Sequence, residues 1–403
     1  MAASVSSQKT TLFRQEASGV TYRIPALLYI KETGTFLAFA ERRATYKDAD
    51  AEYLVMRRGL MQSDSVQWGS IIPLSLATLP SHRTMNPCPV YEKKNQVLFL
   101  FFICVHQDST ECNQIFLGKN AARLCYISSK DHGVTWSQLA DLTQEVIGKD
   151  IANWATFAVG PGHGLQLQSG RLILPAYAYY IHRRCCNFPL LCFTRSHSFA
   201  FYSDDLGGTW HCGKLLSKKI TGECSMAEVT CNDGAYVLYC SARSTYHRRT
   251  EALSKDLGLS FEKPHLSKQL CEPPCGCQGS VVSFIPPEEY RWKQDDKEVN
   301  ITRRPGPERA QIHVPRRSVS WFLYSHPTNR RERSDLGIYV NKSPLSLNCW
   351  DDPWIMNKGP SGYSDLTICE DSFHFGCLFE CGTVEAWEEI AFQKVSLEAL
   401  LKD

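Results

Sequence analysis

Three short segments of the chain share one spacing. "SSKDHGVTW" at 128–136, "YSDDLGGTW" at 202–210 and "LSKDLGLSF" at 253–261 all read S-x-D-x-G-x-(T/S)-(W/F). The pattern describes a hairpin turn: Asp131, Asp205 and Asp256 can accept N–H bonds within it, and Gly133, Gly207 and Gly258 permit positive φ. The closing aromatic is placed to pack under a neighbouring strand. One copy would constrain little, but three copies imply repeated four-stranded units, and units that reuse one turn suggest blades around an axis, a β-propeller. The turns themselves are read as structural, because a turn on a blade's periphery needs no chemistry.

The rest of the chain agrees with an all-β fold. Short runs rich in Val, Ile, Leu, Phe, Tyr and Trp recur, among them "TFLAFAER", "VLFLFFICV", "RLILPAYAYY", "YVLYCSAR" and "FGCLFECG", separated by Gly, Pro, Asp and Ser. Helical periodicity is hard to find. One segment breaks the rhythm: residues 286–318 are polar, charged and Pro-bearing, and read as an insertion loop within a single domain spanning 1–403. Arg303, Arg304, Arg316 and Arg317 give that loop a possible role at a partner or membrane surface, against the plainer reading of a solvated excursion. Asn300-Ile-Thr302 within it is a glycosylation sequon that would matter only in an exported protein.

Charge and cysteine content exclude several function classes. A net charge of +2 supplies no general attraction to nucleic acid or anionic lipid, so any anion chemistry must come from a local site. The N-terminal stretch lacks the basic-then-apolar order of a secretory signal, and the apolar run at 97–105 is far too short to cross a bilayer. The 18 cysteines are scattered, which favours reduced thiols over a disulfide framework. "CEPPCGC" at 271–277 lacks the paired spacing of a closed zinc site, and no metal is expected.

Chemistry is carried by lone arginines. Arg23 sits in "VTYRIPALLYI" beside Pro25, Arg243 follows "YVLYCSA" and Arg333 precedes "SDLGIYV". A guanidinium cannot shed its proton, so each one beside a buried strand needs a partner or a ligand. A propeller brings distant strands to one channel, and a strand edge near its axis tolerates proline. Three convergent guanidiniums would repel one another unless a small carboxylate lay between them, so the expected ligand is an acid.

"YRIP" followed by three such repeats resembles the exo-α-sialidases, glycoside hydrolases built on a six-bladed propeller with an arginine triad. "HRTMNPCPV", "NWATFAVGPGHG", "CQGSVVSF", "YSHPT" and "GYSDL" extend the likeness over nearly the whole chain, towards the vertebrate cytosolic and membrane-associated enzymes. "FLFFICV", "GRLILPAYAYYI", "YCSAR" and the long insertion resemble most the membrane-associated, ganglioside-cleaving type. The resemblance implies that Arg23, Arg243 and Arg333 hold a substrate carboxylate and that Glu380 steadies the first. It further implies Tyr363 as nucleophile, Glu223 as its activating partner (with Glu228 a rival) and Asp48 as acid/base residue. Glycosidases generally attack with a carboxylate, sialidases being a known tyrosine exception; a neutral phenol avoids like charge beside the carboxylate of sialic acid. Arg43, Glu41, Met85, Asn86, Glu111, Tyr177, Tyr179 and Gln278 match the pocket for the sugar's acetamido and glycerol arms, although Tyr177 and Tyr179 also suit a core. An acidic pH optimum is expected, since Asp48 must be protonated for the first step.

By the same resemblance the chain needs no cofactor, acts on gangliosides and other sialylated glycoconjugates, and attaches peripherally to the plasma or endosomal membrane, helped by acylation at cysteines such as Cys185 and Cys186. Two alternatives stand beside it: a cytosolic enzyme for soluble oligosaccharides and glycoproteins, and a non-catalytic sialic-acid-binding propeller.

Overall fold

The computed structural model describes residues 8–62, 65–185, 188–290, 318–371 and 373–402. Nearly all of the insertion at 286–318, its sequon and Cys186 therefore lie outside the described residues. Strands dominate, and their pairing is antiparallel throughout.

Four-stranded units follow one another along the chain. Blade 1 comprises Thr21–Ile30, Thr35–Arg43, Ala51–Gln62 and Ser65–Trp68; blade 2 comprises His82–Glu92, Val97–His106, Ala122–Ser129 and Ala140–Asp141. Trp154–Val159, Leu172–Ile181, Thr194–Ser203 and His211–Cys212 form blade 3, and Cys224–Thr230, Tyr236–Ala242, Arg248–Ser254 and Glu262–Cys271 form blade 4. The remaining sheet has seven strands and divides at the long strand Trp354–Ile368. Its first half pairs with Ser334–Asn341, completing blade 5 with Ser280–Phe284 and Trp321–Pro327. Its second half pairs with His374–Cys381, which pairs with Glu389–Ser396, and the outermost partner is Thr10–Arg14 from the start of the chain. That division gives a sixth blade closed by the N-terminal strand. The blades close into a ring: innermost strands meet between neighbouring blades and between the last and the first, except that the inner strand of blade 4 meets the second strand of blade 3, Leu172–Ile181, and this arrangement is a β-propeller.

A propeller has no single core. Its buried apolar side chains fall into six wedges, each between two adjacent blades, with a small axial cluster of Ile24, Cys277 and Tyr363. Each blade is thus covered on both faces, which explains why "VLFLFFICV" is apolar without alternation. Phe99, Phe101, Ile103 and Val105 face the wedge toward blade 3, whereas Leu98, Leu100, Phe102 and Cys104 face the wedge toward blade 1.

The three repeats adopt one geometry. In each, the Asp accepts the backbone N–H and the hydroxyl of the Thr or Ser four residues on, while the first Ser bonds both the Asp and the Gly N–H. Burial pulls Asp131 upward, but these bonds together outweigh it and hold Asp131, like Asp205, at about 2. Each turn also fastens its blade to the preceding one: Gly133 faces Leu37, Gly207 faces Phe99 and Gly258 faces Ile173. Trp136 packs edge-on to Phe39 and Trp210 to Phe101. Arg58 and Arg171 reach across from the earlier blade to turn carbonyls of His132 and of Asp256 and Leu257. No helix among the described residues is long and apolar enough to cross a membrane.

Gly207 has φ +94, and a Cβ there would stand 2.3 Å from Phe99. Gly207→Ala is therefore expected to destabilise the protein by about 1–3 kcal/mol. Urea unfolding of variant and parent measures it, and an unchanged midpoint would refute the interlock.

Candidate active site

Innermost strands run from one end of the axial channel to the other. At one end Arg23, Met85, Glu223 and Tyr363 line a cavity of about 320 Å³; a few residues further along the same strands, Leu28, Tyr91, Glu228 and Ile368 line a second cavity at the opposite end. Between them Asp365, fully buried, accepts bonds from Leu27 N, Ser280 Oγ and His163 Nδ1 at 2.7–2.8 Å. This carboxylate ties blades 1, 5 and 6 and the 160–164 loop into one axial plug.

The first cavity gathers the three arginines. Only Arg23 comes from an innermost strand, at a bulge where Ile24 has φ +62 and Pro25 is accommodated. Arg243 lies just past the second strand of blade 4, and Arg333 just before the third strand of blade 5. All three surround one ring: the guanidinium carbons of Arg23 and Arg333 stand 5.9 and 5.5 Å from the centroid of Tyr363, and Arg243 Nη1 donates to its hydroxyl at 2.9 Å.

Each cation is answered by a fixed acceptor. Arg23 donates from Nε and Nη2 to the two oxygens of Glu380 at 2.7 and 3.3 Å, and Glu380 also accepts from the backbone N–H of Ile24 and Tyr363. Burial alone would raise this carboxyl, but Arg23 and the two N–H groups hold it below its ordinary value. Arg243 donates to Glu223 Oε2 at 2.7 Å and twice to the Cys275 carbonyl, and Arg333 donates to the Gly276 carbonyl at 2.9 Å. The "CEPPCGC" segment thus contributes carbonyl oxygens, aimed inward by consecutive positive φ angles of 63 and 70 at Cys275 and Gly276. Behind it lies a fully buried pair, Arg249 with Glu272, whose carboxylate also accepts from Cys277 N–H and contacts His326. Burial raises Glu272, yet Arg249 and His326 outweigh it and bring it to about 2.

Tyr363 donates its hydroxyl proton to Glu223 Oε1 at 2.6 Å. Burial, then the Glu223 charge, push the phenol well above its ordinary value despite the nearby arginines. Glu223 immediately precedes the first strand of blade 4. Glu228, its rival, lies at the other end of that strand, accepts from Gln168 N–H and does not reach Tyr363.

Across the cavity Asp48 begins a short turn with its side chain 76 % exposed, paired to Arg43 Nη1 at 2.5 Å. Burial raises its pKa, but Arg43, Arg23 and Arg333 together lower it further. The loop carrying it is pinned from several directions: Ala44 N–H bonds Asp50 O, Arg23 and Arg43 both donate to Tyr46 O, and the Tyr46 ring stacks on Trp387 at 4.9 Å and 16°.

Arg43, Met85, Asn86, Glu111, Tyr177 and Tyr179 also line the cavity. Tyr177 serves both readings offered by the sequence, because it belongs to the wedge between blades 2 and 3 as well. Glu111 opens a helix, Glu111–Leu117, that the sequence reading did not anticipate, with Thr110 as its N-cap. The protein walls, then the Glu223 and Asp48 carboxylates, push Glu111 upward, although its side chain is open to solvent at the rim. Two residues that the resemblance matched to the sugar-arm pocket, Glu41 and Gln278, do not line the cavity. Glu41 is fully buried behind Arg43, which it binds at 2.6 and 2.8 Å, and accepts from Asn86 N–H. Gln278 is 1 % exposed and braces Ser364 N–H and the Pro161 carbonyl. Both are supports for lining residues, because a polar side chain that satisfies backbone groups in the wall has no atoms left for the cavity.

The arrangement suits a small anion with a polar body: a cationic floor around one phenol, a paired phenol and carboxylate, and a second carboxylate opposite on a loop. Comparison with known proteins agrees. Residues 34–375 match the family model described as a BNR repeat-like domain. The chain is 56% identical to human (Homo sapiens) Sialidase-3 over 393 residues, covering 96% of this chain and 92% of that protein. It is 42% identical to mouse (Mus musculus) Sialidase-4, covering 98% and 94%. Among solved structures, the Hadza microbial sialidase Hz136 superposes with a TM-score of 0.73 at 21% identity, over 98% of this chain and 69% of that one.

Removing the charge of Glu380 would strand Arg23. Glu380→Gln is expected to cost about 3 kcal/mol of stability at neutral pH. A depressed folded-state pKa contributes stability that is full above the unfolded value of about 4.3 and is lost as pH falls below it. The gap between variant and parent should accordingly narrow in urea titrations below about pH 4; a constant gap would contradict the pairing.

Proposed function

Since the chain belongs to the sialidase family and is an exo-sialidase, a glycoside hydrolase, we propose that it removes terminal α-linked sialic acid with retention of configuration through a bond to Tyr363. Gangliosides are the substrates this reading favours, reached from a peripheral position on a membrane. The observation that carries the chemical part is the triangle of Tyr363 hydroxyl, Glu223 and Arg243, closed by bonds of 2.6, 2.7 and 2.9 Å.

Arg23, Arg243 and Arg333 receive the sugar's carboxylate, which replaces the missing countercharge among them. That clamp sets the anomeric carbon over the phenol. As the Tyr363 oxygen bonds to this carbon, its proton passes to Glu223, and Arg243 stabilises charge on either oxygen of the pair. The glycosidic bond breaks at the same time, and Asp48 delivers a proton to the departing oxygen. In the second half Asp48, now a carboxylate, takes a proton from water; the water oxygen displaces the phenol oxygen, and Tyr363 recovers its proton from Glu223. Glu111, Tyr177, Tyr179, Asn86, Met85 and Arg43 surround the remaining arms of the sugar.

A fluorogenic aryl sialoside distinguishes the assigned nucleophile. Tyr363→Phe should lower turnover by about a thousandfold or more while a non-hydrolysable sialic acid analogue still binds. Unchanged turnover would remove Tyr363 from the role.

Asp48 gives a second test. In the free site the arginines hold it low, so the fraction protonated falls early as pH rises. A bound substrate carboxylate offsets Arg23 and Arg333 and lifts the Asp48 pKa. Activity should therefore peak on the acid side, and the alkaline limb of kcat should lie at higher pH than that of kcat/KM, because the first reports the complex and the second the free enzyme. Coincident limbs would count against Asp48 as the acid.

A further inference from the structure

Two exposed apolar elements stand side by side on the cavity face. The helix Glu111–Leu117 ends in Phe116 and Leu117, 66% and 52% exposed; the chain leaving blade 3 after Ile181 forms the small hairpin of Arg184–Cys185 with Phe188–Pro189 and continues into Leu190 and Leu191, 36% and 48% exposed. The two are in contact, since a Cβ on Gly118, just past the helix, would meet Pro189 at 2.7 Å. Four large aliphatic or aromatic side chains in water on one protrusion are unusual for a surface without a partner.

Most of the charge around them is basic; the acidic side chains on the helix side are Glu111, at its cavity end, and Asp108 just before it. Residues 181–195 contain Arg183, Arg184 and Arg195, all exposed, and no Asp or Glu; the helix side adds the exposed Lys119. The Arg183 guanidinium lies 4.7 Å from the Phe193 ring, keeping charge beside the apolar tip. The chain as a whole is nearly neutral, so this is a local feature rather than a reflection of bulk charge. Apolar side chains ringed by Lys and Arg match a lipid surface that bears anionic headgroups. Cysteine exposure marks the same place: of the four exposed cysteines among the described residues, Cys112, Cys185 and Cys192 lie here and only Cys275 lies elsewhere.

Its position relates it to the chemistry. The helix starts with Glu111 in the cavity wall and carries Phe116 and Leu117 about one helix length, roughly 10 Å, away. The hairpin follows directly from the strand that holds Tyr177 and Tyr179. Both arms of the protrusion therefore grow out of the cavity rim.

We propose that this protrusion, Phe116 and Leu117 with Leu190 and Leu191 among their flanking basic residues, is the surface by which the enzyme docks on an anionic lipid bilayer, with its cavity mouth held at headgroup height. This rests on the ganglioside reading above and specifies the partner surface it requires. A glycolipid headgroup would then enter the cavity sideways from the membrane it is anchored in, and docking would raise its local concentration without adding a contact to the sugar.

The test uses the full chain and vesicles of phosphatidylcholine with one-fifth phosphatidylserine, first without ganglioside. Wild type should float with these vesicles. Phe116→Ser with Leu117→Ser, and separately Leu190→Ser with Leu191→Ser, should each reduce the bound fraction by about tenfold. Leu347→Ser, which removes an equally exposed apolar side chain on blade 5, should not. Hydrolysis of soluble sialyl-lactose should stay within about twofold in all of them, which also reports that they fold. With ganglioside in the vesicles, the two double variants should lose activity in step with binding. Vesicle binding equal to wild type in active double variants would overturn the proposal, as would failure of wild type to bind, or a change of oligomeric state in the variants with binding untouched. Wild type that binds vesicles through this surface yet leaves their gangliosides intact would uphold the docking surface and overturn the substrate reading alone.

Discussion

Three guanidinium groups held around one phenol ring are the arrangement on which the rest of the cavity depends. None can lose its charge, and a protein wall offers little of the screening that water would provide. Each is met by a different device. Arg23 has a buried carboxylate that two backbone N–H groups keep ionised, Arg243 has a carboxylate and a carbonyl, and, among the described residues, Arg333 has a carbonyl alone. The third is the least compensated, and the cluster as a whole remains positive toward the cavity. That residual charge recruits an anion, and a neutral phenol at its centre leaves it available to that anion, where a carboxylate would neutralise it and repel the arriving charge.

The scaffold makes such a cluster possible by separating cohesion from chemistry. Six apolar wedges hold the blades to one another, so the channel they enclose need not be apolar. Polar groups fill it instead. Asp365, two residues from Tyr363 on the same strand, satisfies donors from three directions and keeps that strand in register with those of blades 1 and 5. Glu41 and Gln278 do similar work in the wall, fixing Arg43 and the backbone next to Tyr363.

Much of the architecture was legible because the repeat and the strand runs are local. A turn of eight residues carries its own hydrogen bonds, and strands covered on both faces announce themselves by apolarity. The arginines were legible through their chemistry, since an obligate cation beside a buried strand demands explanation. What escaped was everything that depends on a backbone atom or on depth. Carbonyls of Cys275 and Gly276 have no signature in side-chain spelling, and a segment of three cysteines invited thoughts of metal instead. Glu41 and Gln278 were assigned to the cavity by resemblance alone, and spelling does not show that each lies one layer deeper, spending its oxygens and amide on Arg43 and on backbone groups. The helix at Glu111 is too short to show periodicity. The comparisons place the chain in its family, while the roles of single residues come from the resemblance and are argued further from geometry.

The sixth blade is completed by Thr10–Arg14, hydrogen-bonded to Glu389–Ser396. Thr10–Arg14 thus pairs with a strand synthesised roughly 380 residues later, which at 5–20 residues per second means an interval of about 20–80 s. Throughout that time the outer strand of blade 6 has no sheet to join, and the apolar side chains of Leu12 and Phe13 have no wedge to enter. The toroid can be sealed only after translation of its final blade, so a nascent chain arrested short of that point would carry a sticky ribbon at one end and an unfinished sheet edge at the other, a natural target for chaperones.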